Sequence, residues 1–422
     1  MRYDIQRKCR LIHRFREQAR SHRGGSVAER VECGSAIVPR GFCYGDIPLR
    51  IAFLISIWLL SFGAIAAPGD VATLDRSTWP EKLGNPTLFD VASRAEILMF
   101  SSVLLASESL DEPALAQRLG LRTINLESVN RVRQRMWQRL LANYNFAQQS
   151  CDQDASFCFL VEDMPTLREQ AAKFQVGADS YYIKWAEPSR VFHTQYLDEQ
   201  LRKAALFPQT SSEVDHFGDY ERSGDGMHDR LFLLTFDSAA NAVPDNTAWV
   251  TEYLRKSNMS GTFFVLGKDV QARLAEGSVA GLQSTYSTQC VGVQGWEFRS
   301  HSHWQDWQDS VRRSADLVKS KLPENFVPLF RPPDGQRRAD AEGFFRTQGL
   351  QVALWDIDAQ DGAGKLKGNQ SAQRVLTLML LWRHGVINFN VKQEGVKTAL
   401  PWLVAQTAPV GIGWEDCQDA FR

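Results

Sequence analysis

A chain of 422 residues exceeds one typical domain, so two folded units with additional segments are expected. Its 44% hydrophobic and 23% charged residues are ordinary for a globular protein. The net charge of −1 conceals an asymmetry: residues 1–50 hold 11 Lys and Arg against 5 Asp and Glu, the remainder 37 against 44. A mildly acidic body argues against nucleic acid as its partner.

Residues 1–48 read as a basic extension without clear periodicity. From Ile51 to Gly69 there is no charge; Arg50 precedes a short apolar run, which ends in Ala64-Ile65-Ala66 before Ala67-Pro68. A basic flank, an apolar core and a small-x-small end are the pattern of a secretory signal, placed at 49–66. The signal lies far from Met1, which motivates the hypothesis that translation starts at Leu49. The expected location is therefore exported, periplasmic or extracellular, or membrane-anchored if the signal is retained. In either case residues 51–66 make the membrane contact, transient if the segment is cleaved.

Cys9, Cys33 and Cys43 lie upstream of that signal; Cys151, Cys158, Cys290 and Cys417 lie after it. An even number in an oxidising compartment suggests disulfides. Cys151 and Cys158 are near enough to close a small loop, whereas pairing Cys290 with Cys417 follows by elimination only. Four buried free thiols remain the alternative. No paired C-x-x-C spacing supports a structural zinc site.

Residues 75–210 read as an all-helical domain. Three- and four-residue apolar spacing predicts helices over Ala92–Leu110, Leu126–Gln149, Met164–Phe174 and Pro188–Phe207, with Asn125 or Ser128 capping the second. Arg133, Arg135 and Arg139 are expected on a solvated face, and Trp137, Tyr144, Phe192 and Tyr196 in the core. The Asp-, Ser- and Gly-rich stretch 211–230, with Ser223-Gly224-Asp225-Gly226 at its heart, reads as a linker.

From Leu231 short apolar runs alternate with helical stretches. Strands are predicted at Leu231–Asp237, Gly261–Leu266, Cys290–Gln294, Val327–Arg331, Val352–Ile357, Val386–Asn390 and Val410–Trp414. Helices are predicted at Thr247–Lys256, Lys268–Ala275, Asp309–Lys321, Ala339–Thr347, Ala372–Arg383 and Val396–Gln406. Strand–helix alternation predicts an α/β unit, its parallel sheet either open or closed into a barrel, with functional groups at the C-terminal strand ends. Asp237, Arg331, Asp358 and Asn390 fall at or just beyond such ends.

Four landmarks occur in order: Leu234-Thr235-Phe236-Asp237, Phe330-Arg331-Pro332-Pro333-Asp334-Gly335, Trp355-Asp356-Ile357-Asp358 and Gly385-Val386-Ile387-Asn388-Phe389-Asn390. Together, over about 226–422, the sequence resembles the polysaccharide deacetylases (NodB-homology, carbohydrate esterase type four). The resemblance implies a distorted (β/α) barrel over 231–422, preceded by the helical domain. It also implies hydrolysis of an acetamide on an amino sugar: a divalent metal such as zinc activates water, an Asp takes its proton and a His donates to the leaving amine.

By resemblance Asp237 is the base, Arg331 orients it and keeps it ionised, and Asp358 and Asp361 belong to the set that orients the catalytic His. The other positions depart. Ser238 stands in place of the metal-binding Asp. The two metal-binding His positions align with Gln294 and Phe298, or, in a second register, with His301 and Gln305. Asp334 replaces a groove-lining Tyr, Gly362 a Trp, and Asn390 the catalytic His. A hydroxyl is a poor ligand for a dication compared with a carboxylate, and Phe offers no donor. An amide does not shuttle a proton near neutral pH, and loss of the general acid alone is expected to cost ~10²–10⁴ in rate.

The expectation is an exported family member that binds a polysaccharide or amino-sugar oligomer, has no cofactor, and lacks ordinary metal-dependent activity. One alternative is an active N-deacetylase with a rearranged metal site at His301, His303 and Asp306. Another is a structural scaffold led by the helical domain.

Overall fold

The computed structural model describes residues 71–238, 245–362 and 366–420; the basic extension 1–48 and the signal segment 49–66 lie outside the described residues. Asn85 starts helix α1 (Pro86–Glu108) by accepting a hydrogen bond from the Leu88 N–H, and Pro86 sits where no helical N–H is needed. α1 is buried along nearly its whole length and on every side, as a helix apolar all round should be. Around it lie α2 (Glu112–Arg118), α3 (Leu126–Ala147), α4 (Met164–Lys173) and α5 (Ile183–Leu206). Asn125, one of the two expected caps, holds the start of α3 through the Ser128 N–H.

Two buried charges inside α1 are fully engaged. Arg94 donates to the carbonyls of Ala147, Asp154 and Ser156 and to Ser150 Oγ, gripping the loop closed by the Cys151–Cys158 disulfide. Glu96 receives Trp185 Nε1 at 2.9 Å and Ser189 Oγ and His193 Nε2 at 2.8 Å, and pairs with Arg76. These donors hold its carboxyl down to about 2 although burial opposes ionisation.

The strands are β1 (Glu221–Arg222), β2 (Leu231–Asp237), β3 (Thr262–Val265), β4 (Cys290–Val293), β5 (Phe326–Phe330), β6 (Gln351–Ala353), β7 (Ile357–Asp358), β8 (Gly385–Asn390) and β9 (Gly413–Trp414). All pairings are parallel, in the order β1-β6-β5-β4-β3-β2-β8-β7, with β9 beside the start of β2. The expected strand at Val352–Ile357 is split. β6 pairs with β5, and four residues later β7 pairs with β8. One passage of chain thereby serves strands near both edges of the sheet, which is rolled into a half-barrel with no strand pairing closing it among the described residues. The intervening helices are α6 (Thr247–Lys256), α7 (Gly267–Glu276), α8 (Val279–Thr285), α9 (Trp307–Lys321), α10 (Glu342–Gln348), α11 (Gly368–Trp382) and α12 (Val396–Thr407). The second disulfide, Cys290–Cys417, ties the C-terminal tail to the start of β4. Among the described residues no helix is long and apolar enough to cross a membrane.

Helical layer and barrel form one compact unit, Ala66–Arg422, with a shared apolar core. α1 and α3 pack on α11. Ser93 Oγ donates to the Leu380 carbonyl, Asn143 Nδ2 to those of Leu381 and Trp382, and Trp382 Nε1 to the Tyr196 hydroxyl. Trp137, Tyr144, Phe192 and Tyr196 are core residues, as expected.

The arginine face of α3 is not solvated. Arg133 is buried and donates to the Ser107 carbonyl; Arg135 donates to the Val214 carbonyl; Arg139 lies over Trp382 and reaches Asp356. Periodicity could not reveal this, because the covering groups come from other elements, 26 to 243 positions away in the chain.

Nor does 211–230 hang free. Ser211, Ser212, Glu213 and Asp215 are buried, and β1 adds a strand beside β6. Gly224 passes so close to Gly385 that a Cβ would meet its Cα at 2.4 Å. The Asp356 carboxylate receives the N–H groups of Gly224 and Val386, both at 2.8 Å, and Arg139 Nη1 at 3.1 Å. A single buried acid therefore joins the helical layer, the 223–226 turn and the barrel seam. Asp356→Ala is expected to cost about 1–3 kcal/mol, because it leaves two amides without an acceptor and takes one of two carboxylate partners from the partly buried Arg139. The exposed Arg222→Ala should stay within about 0.5 kcal/mol. Denaturant midpoints of the two variants check this.

Candidate functional site

Parallel strands deliver their C-terminal ends to one mouth of the barrel. Asp237 ends β2, Asp358 ends β7, Asn390 ends β8, and Arg331 directly follows β5. The centre is Arg331, whose guanidinium is fully buried. Its Nη1 donates to Thr235 Oγ1 at 2.7 Å, Asn388 Oδ1 at 2.9 Å and Asp237 Oδ1 at 3.1 Å. Its Nε and Nη2 reach the carbonyls of Ala353 and Leu354, and its plane lies 4.0 Å from the Phe264 ring centroid. Asn388 Nδ2 holds the other Asp237 oxygen at 3.0 Å.

Asp237 and Arg331 are thus paired as expected, with a correction to the electrostatics. Burial raises the Asp237 carboxyl above the usual range, and the opposing pull of Arg331 and Asn388 does not cancel it.

Asp361 is buried, and both its oxygens accept from the Asn390 N–H at 3.2 Å. Burial pushes its carboxyl up to about 8, the Asn390 amide opposing and the nearby Asp358 charge adding to the rise. Asp358 stands at the rim and accepts from the Gln360 N–H at 2.8 Å. Asn390 does not present its amide freely: its Oδ1 accepts from the Lys392 N–H at 2.9 Å.

The remaining candidate positions make other contacts. Ser238 Oγ donates to the Phe264 carbonyl at 3.1 Å and accepts from the Leu266 N–H at 3.3 Å, stitching β2 to the end of β3. Gln294 lies immediately after β4 and is fully buried, neither atom of its side-chain amide having a hydrogen-bond partner among the described residues. Phe298 lines the mouth of the site. Of the two residues only Phe298 lines the cavity.

His301, His303 and Asp306 do not converge. His301 is buried behind Gly295, between Phe330 and Trp304, with Nε2 3.1 Å from Ser310 Oγ; His303 and Asp306 are exposed. Gly295 has φ +90°, and a Cβ there would strike His301 Nε2 at 2.5 Å, so the turn packs the ring inward. Burial lowers His301 to about 4, leaving a neutral core imidazole. Trp304 is half-buried between His301 and the Arg299 guanidinium, so its ring is no open platform.

A family metal would need donors at 238, 294 and 298. A hydroxyl bound into the backbone, a neutral amide and a phenyl ring do not fit one. Among the described residues no group of three or more His, Cys, Asp and Glu side chains is arranged to hold a metal ion. Residues 239–244 and 363–365 contain none of these residue types.

The mouth opens into a cavity of about 610 Å3. Its wall includes residues the motifs did not indicate: Lys203 from α5, Ser212 and Glu213 from the supposed linker, and Trp355 from the barrel seam. Asp334, in the groove-lining Tyr position, also faces it, with φ +54°. Thr235 and Asn388 were also missed, although each sits two residues before a motif residue and therefore on the same face of its strand. Lys203 and the linker residues carry no such signal.

A polysaccharide deacetylase family model matches residues 224–353. The chain is 28% identical over 137 residues to the bifunctional xylanase/xylan deacetylase of Cellvibrio japonicus, covering 31% of this chain and 19% of that one. It is 25% identical over 201 residues to the peptidoglycan-N-acetylmuramic acid deacetylase PdaC of Bacillus subtilis, covering 46% and 39%. The chain thus spans well under half the length of either relative. Among solved structures, a carbohydrate esterase family four pseudoenzyme from Bacillus anthracis aligns at 15% identity and a TM-score of 0.41, covering 49% of this chain and 70% of that one.

The raised Asp361 carboxyl sets a stability signature. Between the ordinary Asp value and about 8 the folded state holds a proton that the unfolded state has released. Stability must therefore fall as pH rises through that window. Asp361→Asn, which keeps an acceptor for Asn390, should remove this slope and raise the Tm near pH 8 by roughly 2–4 °C for about 1 kcal/mol recovered. Thermal melts of both proteins across the window test this.

Proposed function

We propose, from the premise that this barrel belongs to the polysaccharide deacetylase family, that the chain binds N-acetylated amino-sugar polymers outside the cytoplasm without the family's metal-dependent N-deacetylation. The family acts on N-acetylated polysaccharides, and two disulfides suit an oxidising compartment. The observation that carries the reading is the combined chemistry of positions 238, 294 and 298. One hydroxyl is committed to the β2–β3 backbone, one buried amide is neutral, and one side chain has no donor atom. At the general-acid position Asn390 has no proton to transfer, and its oxygen is engaged by Lys392.

What remains is suited to holding a ligand. Asp237 is fixed by Arg331 and Asn388 at the base of a cavity large enough for sugar units. Exchanging Asp334 for Tyr removes an acid and supplies a ring, so this side of the groove differs chemically from the family pattern.

Two measurements on the purified protein decide the matter: its zinc content, and acetate release from N-acetylglucosamine oligomers and peptidoglycan. The expected outcome is no stoichiometric zinc and turnover at background. Restoring donors and acid together, as Ser238→Asp, Gln294→His, Phe298→His and Asn390→His, should confer zinc binding. One bound zinc in the unaltered protein, with turnover abolished by Asp237→Asn, would falsify the reading.

A further inference from the structure

The rim of the half-barrel is completed by chain from the helical layer. The strand order leaves the sheet with two edges, β1 and β7, and the stretch from Glu199 to Asp215 is moored to both sides. On the β7 side, Glu199 of α5 pairs with Arg374, whose Nε donates to the Asp358 carbonyl at 3.0 Å. On the β5 side, Ser211 Oγ accepts from the Arg337 N–H at 2.7 Å, and the Arg337 guanidinium donates to the carbonyls of Ser212 at 2.5 Å and Asp215 at 2.8 Å. The same guanidinium clasps Glu221 of β1. The segment lies directly on the turn that follows β5. A Cβ added to Gly335 would meet the Glu213 nitrogen at 2.9 Å and the Ser212 carbonyl carbon at 3.1 Å. Between the two moorings Lys203 pairs with Glu213, near enough to Asp334 and to Asp358 to act on the charge of each.

Lys203, Thr210, Ser211, Ser212 and Glu213 accordingly form one wall of the cavity. All five precede residue 224, where the family match begins, so the wall is an addition to the matched span. Ser211, Ser212 and Glu213 are buried, and so is the Arg337 that holds them. Removing one partner from a buried ionic and hydrogen-bonded cluster is costly, so the wall stays in place when a ligand arrives. A polymer lying across the mouth needs both an entry and an exit, and the wall stands across one of these paths. The volume of about 610 Å3 agrees, since pockets that enclose a small ligand measure roughly 300–1,000 Å3.

We infer that the cavity takes the end of a glycan chain, the terminal sugar units entering with their tip against 210–213, and does not straddle the interior of a polymer. This rests on the glycan-binding reading and deepens it: the feature recognised is a chain terminus, and the residues that impose it come from outside the barrel.

Isothermal titration of the disulfide-intact protein tests this. The probes are an N-acetylglucosamine hexamer, long soluble glycol chitin, and the hexamer with a branched polyethylene glycol coupled to its reducing end, its non-reducing end or both. One protein should bind per chain on hexamer and polymer alike. Blocking the inserting end, or both ends, should weaken the hexamer at least about tenfold, while blocking the other end leaves it unchanged. Thr210 is exposed on the wall, where a larger side chain costs little in folding. Thr210→Arg should therefore narrow the mouth and weaken the hexamer about tenfold. Several proteins per polymer chain, or a doubly blocked hexamer bound as tightly as the free one, overturns the chain-end inference and leaves the glycan-binding reading standing. Unchanged affinity in Thr210→Arg takes the wall out of the ligand's way and overturns it too. Binding of none of the probes overturns both.

Discussion

The mouth of the barrel depends on one buried guanidinium. Arg331 sits at the end of β5, yet its donors reach Thr235 and Asp237 on β2, Asn388 on β8 and the carbonyls following β6. In a flat sheet β5 and β2 would be three strand spacings apart, roughly 14 Å, beyond the reach of an arginine side chain. The contact exists because the sheet is rolled, and it keeps the rolled sheet pinned at its functional rim. A charge so placed is tolerable only with its donors matched by polar groups. This gives Asp237, Thr235 and Asn388 a structural reason to be present whether or not any reaction takes place.

That constraint bears unevenly on the residues of the site. The residues bound to Arg331, namely Thr235, Asp237 and Asn388, hold the rim of the barrel together. Positions 238, 294, 298 and 390 would serve only a metal and a proton. There the side chains have been drawn into other tasks: Ser238 staples two strands, Asn390 closes a turn, and Phe298 covers the opening.

Much of the architecture was legible in the sequence, and for a local reason. β2 and α6 fall at the predicted residues, because an apolar run or a three-to-four spacing is written within a dozen positions. Asp237, Arg331, Asp358 and Asn390 were placed correctly at strand ends by the same alternation. The misses are non-local. Arg133, Arg135 and Arg139 read as a wet face because nothing nearby in sequence announces Asp356 or the 211–216 segment. Lys203 and Glu213 read as ordinary helix and linker, yet they form part of the cavity wall. The 211–230 stretch has the composition of a spacer and is held in place by partners far along the chain.

The shared surface around α11 has an evolutionary corollary. The family match begins at residue 224, but the Asp90–Arg383, Glu199–Arg374 and Asp356–Arg139 pairs all cross from the helices to the barrel. Cut at the edge of the recognised domain, the barrel would bare an oily flank and leave buried Arg374 and Asp356 without their ionic partners, while Arg383 would keep only Asp229. The unit that can be shuffled between genes, or grafted by an engineer, is therefore the whole ensemble from Ala66 onward rather than the segment that homology detects.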